Sequence, residues 1–276
     1  MNKFMENKEK YTYQDLLDIT ARLRGEDGCP WDREQTHQSI RKNLIEEAYE
    51  VAEAIDAQSA PMLQEELGDL LFQVVFHSQL AGEEGAFDQS DVVDGICRKL
   101  ILRHPHVFGD VKVDGTSQVL SNWEDIKKVE KGYESQTQVL RSVPAILPAL
   151  MRSYKVQQKA AKVGFDWDSV DGAWDKLEEE RGELAQAMQG ADRAQIEEEL
   201  GDLLFAAVNV SRFLKVDPEE ALTRSCEKFI SRFAKMEEIA QIEQKSVGNL
   251  KIFEWDDLWD RAKQCIMGSN PNFEGK

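Results

Sequence analysis

Apolar residues recur every three or four positions over most of this chain. The pattern is clearest in "IRKNLIEEAYEVAEAID" (40–56), "QEELGDLLFQVVFHSQLA" (64–81) and "QIEEELGDLLFAAVNVSRFL" (195–214). This spacing places apolar side chains on one face of an α-helix. Asp217 and Pro218 are typical of a helix start, with the aspartate as the cap and the proline in the first turn. We therefore predict an all-α protein.

The helical pattern occurs twice. "EELGDLLF" stands at 65–72 and again at 198–205, which is 133 positions later. Two prolines in "RSVPAILPAL" (141–150) separate the two copies. Because whole halves correspond, the repeat is a duplicated domain and not a short-period solenoid. We predict two tandem helical-bundle domains, at 1–135 and 151–276, joined by a proline-containing linker at 136–150.

Each half carries a group of acids whose spacing favours convergence. Glu46, Glu47 and Glu50 span an arc of only about 100° on one helix. Glu66 and Asp69 share a face of the next helix, so an antiparallel hairpin would bring these carboxylates together. The equivalent acids of the second half are Glu179, Glu180, Glu183, Glu199 and Asp202. Ligation by oxygen atoms alone suits Mg²⁺, with Mn²⁺ as a substitute.

A solvated helix face is the plainer interpretation of these acids. Against it, the acids are not followed by lysines four residues later, and the same arrangement recurs in both halves. Gly68 and Gly201 precede the aspartates inside helices, at a cost of roughly 1 kcal/mol each relative to alanine. We interpret them as allowing close approach of the facing helix or of an ion, although packing alone would also explain them.

Basic and aromatic residues follow the acids in the same order in both halves. They are Lys99, Arg103, Trp123 and Lys127 in the first half, and Lys228, Arg232, Trp259 and Lys263 in the second. Opposite a metal–carboxylate cluster, such cations would hold a polyphosphate. Taken alone, Lys-x-x-x-Arg is an ordinary exposed pair, and the tryptophans could equally belong to a core.

Composition excludes several classes of protein. With 34 basic and 52 acidic residues the net charge is −18, which argues against nucleic acid and anionic membranes as partners. The four cysteines have no Cys-x-x-Cys spacing and indicate reduced, mostly buried thiols. We see no signal-peptide or membrane-span pattern, and we expect a cytoplasmic protein. No histidine stands three residues after a motif glutamate, which disfavours a di-iron bundle.

The motif Glu-Glu-x-x-Glu, followed after a spacer by Glu-x-x-Asp, occurs twice. In this motif the sequence resembles the MazG family of all-α nucleoside triphosphate pyrophosphohydrolases. "GCPWDREQTH" (28–37) and "GFDW" (164–167) add to the likeness, which covers nearly the whole chain. The resemblance implies hydrolysis of nucleoside triphosphates to monophosphates and pyrophosphate by a Mg²⁺-dependent homodimer. Stacking on aromatic residues tolerates different bases, so we expect broad NTP and dNTP use.

The resemblance also implies roles for individual residues, with catalysis in the second half. The metal ligands would be Glu180, Glu183, Glu199 and Asp202, and Glu179 would assist from the outer shell or orient the water. Lys228, Arg232 and Lys263 would contact phosphates, and Trp259 would line the nucleotide site. The second possible site would comprise Glu46, Glu47, Glu50, Glu66, Asp69, Lys99, Arg103, Trp123 and Lys127. The alternatives are a non-catalytic Mg-nucleotide sensor and a purely structural helical scaffold.

Overall fold

The computed structural model describes residues 8–190, 192–245, 248 and 250–268. These residues form α-helices joined by turns, and no β-strand occurs among them, so the predicted all-α fold is confirmed. The chain divides into two compact units, Met1–Glu130 and Lys131–Lys276.

The first unit is built around a long helical hairpin. Its helices are α1 (Tyr13–Arg24), α2 (Pro30–Glu34), α3 (Arg41–Asp56), α4 (Ala60–Glu83), α5 (Gln89–Arg103), α6 (Pro105–Phe108) and α7 (Thr116–Lys131, whose last residue lies past the division). Helix α4 packs against α3, α1 and α5. Ile40, Phe76 and Leu80 form a buried cluster against which Phe72 packs. The three-residue gap between α3 and α4 makes these two packed helices antiparallel.

The second unit contains two packed helix pairs. Its helices are α8 (Gln136–Arg141), α9 (Ala149–Ala161), α10 (Val170–Gly190), α11 (Arg193–Phe213), α12 (Pro218–Ile242) and α13 (Ile252–Gly268). Helix α10 packs on α11, α12 packs on α13, and α9 contacts both α11 and α12. Met236, Ile239, Ala240, Leu258 and Ala262 form the buried cluster between α12 and α13.

Local sequence signals explain where several helices begin. The carboxylate of Asp217 accepts hydrogen bonds from the backbone N–H groups of Glu219 (2.9 Å) and Glu220 (3.1 Å), with Pro218 in the first turn. The predicted cap of α12 is therefore confirmed. Ser59 caps α4 by accepting from the backbone N–H of Met62.

The segment predicted to be a linker, 136–150, lies in the second unit. Its first residues form α8, and the side chains of Val139 and Val143 are buried. The two prolines suggested an irregular connection, but the apolar side chains of this segment pack into the second unit. The domain bounds 1–135 and 151–276 stay a prediction.

Cysteine exposure differs from the expectation. Cys29 is half-buried, whereas Cys97, Cys226 and Cys265 are exposed on α5, α12 and α13. The prediction of mostly buried thiols is therefore wrong, because three of these positions face away from the helix contacts. Among the described helices, none combines the length and the apolar character that spanning a membrane requires.

Candidate active site

The two helical hairpins bring acids together in equivalent places. In each hairpin, one carboxylate oxygen from each of three residues lies within 4.8 Å of the others. These residues are Glu47, Glu66 and Asp69 in the first unit, and Glu180, Glu199 and Asp202 in the second. We call them the first and the second acidic cluster. Three oxygen donors at this separation suit a hard divalent cation.

Glu50 and Glu183 lie beside these clusters. The carboxyl of Glu183 lies close enough to Glu180, and that of Glu50 close enough to Glu47, for each neighbour to favour the protonated form. Partial desolvation raises the pKa of the Glu183 carboxyl, and the neighbouring Glu180 raises it further. Such carboxylates repel one another unless a proton or a cation intervenes.

Glu180 is the most enclosed acid of the second cluster. Only 5% of the residue is exposed, and its Oε1 lies 2.6 Å from the ammonium nitrogen of Lys176. Its Oε2 has no hydrogen-bond partner among the described residues. An orphaned buried carboxylate oxygen is costly, and a bound cation would satisfy it. The residues of this cluster therefore fit a divalent metal ion.

Lys176 is a site residue that the sequence analysis missed. Its ammonium nitrogen also lies 2.9 Å from Oε1 of Glu179, whose side chain is exposed. The two carboxylates favour the charged form of the lysine and raise its pKa. Lys176 precedes Glu179 and Glu180 by three and four residues, whereas the spacing considered for ion pairs was a lysine four residues after the acid. The pattern Lys-x-x-Glu-Glu at 176–180 would have predicted an ion pair between this lysine and the two glutamates.

The first acidic cluster lacks this lysine. A shift of 133 positions places Asn43 where the second unit has the lysine. Instead, the Gln73 amide donates a long hydrogen bond, 3.5 Å, to Oε1 of Glu47. Burial raises the pKa of Glu47, and the charge of Asp69 adds to it. Burial likewise raises the pKa of Glu66. Glu46 is exposed and lies outside the cluster.

The predicted phosphate-binding residues of the second unit lie on α12 and α13. The guanidinium of Arg232 stands 5.4 Å from the centre of the Trp259 ring, and its buried Nε has no hydrogen-bond partner among the described residues. Trp259 packs beside Phe229 at 5.3 Å, and Lys228 and Lys263 are exposed. Among the described residues, no ion pair links these cations to the second acidic cluster.

The corresponding residues of the first unit are arranged differently. Arg103 forms an ion pair with Glu130 at 2.7 Å and stands 5.2 Å from the ring centre of Trp123. The ammonium of Lys127 lies 5.1 Å from the same ring, and Lys99 is exposed. The arginine of this unit is thus already neutralised by a carboxylate.

Aligning the two tryptophans shows how the second unit differs. The position that corresponds to Glu130 is occupied by Ile266. Arg232 therefore has no carboxylate at the position where Arg103 has Glu130, and its Nε has no hydrogen-bond partner in the part of the chain that the structure describes. A guanidinium N–H without a partner can donate to an anionic ligand.

The two motif glycines do not mark a close approach. A Cβ built at Gly68 or at Gly201 would meet no other atom within 4 Å. Both residues are exposed on their helices. The interpretation that glycine makes room for a facing helix is therefore wrong within each unit, whereas room for an ion stays a prediction.

Comparison with known proteins identifies the family. The profile described as "MazG nucleotide pyrophosphohydrolase domain" matches residues 35–108 and 171–236. These are the segments that contain the two acidic hairpins. The chain belongs to the MazG family.

Full-length relatives agree with this assignment. The chain is 46% identical over 251 residues to the Thermotoga maritima protein named nucleoside triphosphate pyrophosphohydrolase/pyrophosphatase MazG, covering 91% of this chain and 95% of the relative. It is 44% identical over 252 residues to the Escherichia coli K12 nucleoside triphosphate pyrophosphohydrolase, covering 90% and 96%. The Bacillus subtilis protein YabN is 47% identical over 261 residues, which cover 93% of this chain and 53% of YabN.

The matched MazG segments contain both acidic clusters, Lys176, Lys228 and Arg232. Trp259 and Lys263 lie beyond the second segment, as Trp123 and Lys127 lie beyond the first. The tandem arrangement that the duplication predicted is confirmed, since the MazG domain occurs twice in one chain.

Proposed function

We propose that the second unit hydrolyses nucleoside triphosphates to nucleoside monophosphates and pyrophosphate. The observation that carries this proposal is the buried Glu180 carboxylate, which lies beside Glu199 and Asp202 and has one oxygen without a hydrogen-bond partner within the described ranges. A buried acid with an unused oxygen beside two further acids is a ligand position for a cation that neutralises phosphates. The names of the relatives from Thermotoga maritima and Escherichia coli support the substrate class.

Mg²⁺ is the cation that we propose, with Mn²⁺ as a substitute. Glu180, Glu183, Glu199 and Asp202 would hold it. When bound, Mg²⁺ neutralises the triphosphate and lowers the pKa of a coordinated water.

Four residues of the second unit would bind the nucleotide. Arg232, whose Nε has no hydrogen-bond partner in the described part of the chain, would bind phosphate together with the exposed Lys228 and Lys263. Trp259 would offer its ring to the base, and stacking tolerates different bases, which supports broad NTP and dNTP use.

The bond that breaks joins the α-phosphorus to the oxygen bridging the α and β positions. A water oxygen attacks the α-phosphorus, and the bridging oxygen leaves with pyrophosphate. The exposed carboxylate of Glu179 would accept the proton that the water loses, which makes it the general base of the proposal.

We assign the first unit a regulatory or structural role. Its arginine, Arg103, is neutralised by Glu130, and its cluster has Asn43 where the second has a lysine. Both differences weaken the attraction of this unit for a triphosphate anion.

A homodimer is part of the proposal, and exposed apolar side chains support it. Four apolar residues of α11 and α12 are each about half exposed, namely Leu200, Leu204, Leu222 and Ile230. Equivalent positions of the first unit are also apolar and exposed, namely Leu67, Leu71, Val93 and Ile101. Exposed apolar side chains at equivalent positions of both units support a surface that a second copy of the chain covers.

Paired variants test the proposal. Glu180→Gln and Glu47→Gln remove one charge from equivalent places in the two clusters. We expect Glu180→Gln to lower pyrophosphate release from a mixed NTP pool with Mg²⁺ by at least about 100-fold. Glu47→Gln should retain most of the activity.

The opposite ranking of the two variants would place the chemistry in the first unit. The rival function is a sensor that binds Mg-nucleotide without hydrolysing it. Retention of nucleotide by a wild-type protein that releases no pyrophosphate would favour the sensor.

A further inference from the structure

We propose that Lys176 is a resident counter-ion of the second acidic cluster, and that it makes cation and nucleotide bind together. The inference rests on the proposed function, because it concerns the cluster to which we assign the chemistry. The role proposed for Lys176 goes beyond the hydrolysis reaction, because it couples the binding of the cation to the binding of the nucleotide.

The geometry places one positive charge inside the cluster. The ammonium of Lys176 lies 2.6 Å from Oε1 of Glu180 and 2.9 Å from Oε1 of Glu179. Spacings of three and four residues put these side chains on one face of α10. The lysine side chain is 38% exposed, so its flexible stem has room to swing away from the buried glutamate.

The first acidic cluster provides an internal comparison. It has Asn43 at the same place, and so no ammonium group stands one turn before Glu47. The two otherwise equivalent clusters therefore differ by one resident positive charge, which only the second has at this position.

A free cation that enters the second cluster must compete with this ammonium. Two positive charges a few Å apart repel each other, so Lys176 lowers the affinity of the empty cluster for a divalent cation. A triphosphate that arrives with the cation gives the ammonium a new anionic partner. Each ligand then raises the affinity for the other, by a factor that linkage requires to be equal.

Mn²⁺ binding to the full-length chain tests this inference. Bound Mn²⁺ is measured from the decrease in the electron paramagnetic resonance signal of free Mn²⁺. Every protein compared, including the parent chain, also carries Glu66→Gln to weaken the first cluster. We expect Lys176→Met to bind Mn²⁺ at least about tenfold more tightly than the parent chain without nucleotide. An α,β-methylene nucleoside triphosphate should raise the Mn²⁺ affinity of the parent strongly and that of Lys176→Met little.

Lys176→Arg is the matched control, because it keeps the charge and should keep the low affinity without nucleotide. Far-UV circular dichroism verifies that each variant is folded. An unchanged or weaker Mn²⁺ affinity in Lys176→Met would overturn the inference. If the wild type still releases pyrophosphate in that case, the proposed function survives. A wild type that neither binds Mn²⁺ with nucleotide nor releases pyrophosphate would overturn both.

Discussion

One carboxylate oxygen distinguishes the second acidic cluster from the first at the scale of single residues. Oε2 of Glu180 is buried without a hydrogen-bond partner among the residues that the structure describes, whereas Glu47, at the equivalent place, is half-buried beside Gln73. The residue that corresponds to Gln73 is Ala206, which has no side-chain hydrogen bond to give. The second cluster therefore has a carboxylate oxygen that a cation could bind.

Two glycines of the second unit predict opposite effects of the same substitution. Gly201→Ala should stabilise the protein by about 0.5–1 kcal/mol, because its Cβ meets open space and alanine favours the helix. Gly172→Ala should destabilise it by about 1–3 kcal/mol, because its Cβ would lie 2.4 Å from Cδ1 of Trp167. Urea unfolding of both variants measures the two changes. A large loss of stability in Gly201→Ala would show that another surface approaches there in solution.

Helical hairpins are the feature that the sequence predicted best at the scale of elements. Three- and four-residue apolar spacing located α3, α4, α10 and α11, and the short gap between partners brought the motif acids together. Periodicity and the identical octapeptides were sufficient for this, because residues on adjoining turns share a face in any α-helix.

Other properties of the site depend on side-chain contacts that no spacing rule contains. The pairing of Arg103 with Glu130 joins residues 27 positions apart on different helices. The open space around Gly201 depends on which helix face is uncovered. Lys176 could be predicted from sequence, because a lysine three or four residues before an acid lies on the same helix face as one that follows it.

A histidine pair joins the segment before α3 to α4 and predicts a pH dependence of stability. Nδ1 of His37 lies 2.8 Å from Nδ1 of His77, so one nitrogen donates a hydrogen bond and the other accepts it. Burial, and then the charge of His37, lower the pKa of His77 below its ordinary 6.5. The unfolded chain therefore takes up a proton at this histidine at a higher pH than the folded protein does.

The sign follows from that difference. The stability contribution is complete above pH 6.5 and is lost as the pH falls through 6.5 toward the lowered value of the folded state. Urea unfolding of wild type and His77→Gln between about pH 8 and pH 5 measures it. The wild type should lose more stability than the variant over that range. Equal losses in the two proteins would contradict the assignment to His77.

Exposed apolar surface is the feature that matters most at the scale of the whole molecule. We expect the wild type to sediment as a dimer, and Leu222→Glu to shift it toward monomer by burying a charge in the interface. Ile242→Glu, at the 81% exposed end of the same helix, is the matched control and should remain dimeric. A dimeric Leu222→Glu protein would exclude this part of α12 from the interface.

The central claim is that water attacks the α-phosphorus of the nucleoside triphosphate, and the position of the solvent oxygen in the products tests it most directly. The reaction is run with a single nucleoside triphosphate and Mg²⁺ in ¹⁸O-labelled water, and the products are separated and weighed by mass spectrometry. We predict one labelled oxygen in the nucleoside monophosphate and none in the pyrophosphate. Label in inorganic phosphate alongside a nucleoside diphosphate would contradict the account.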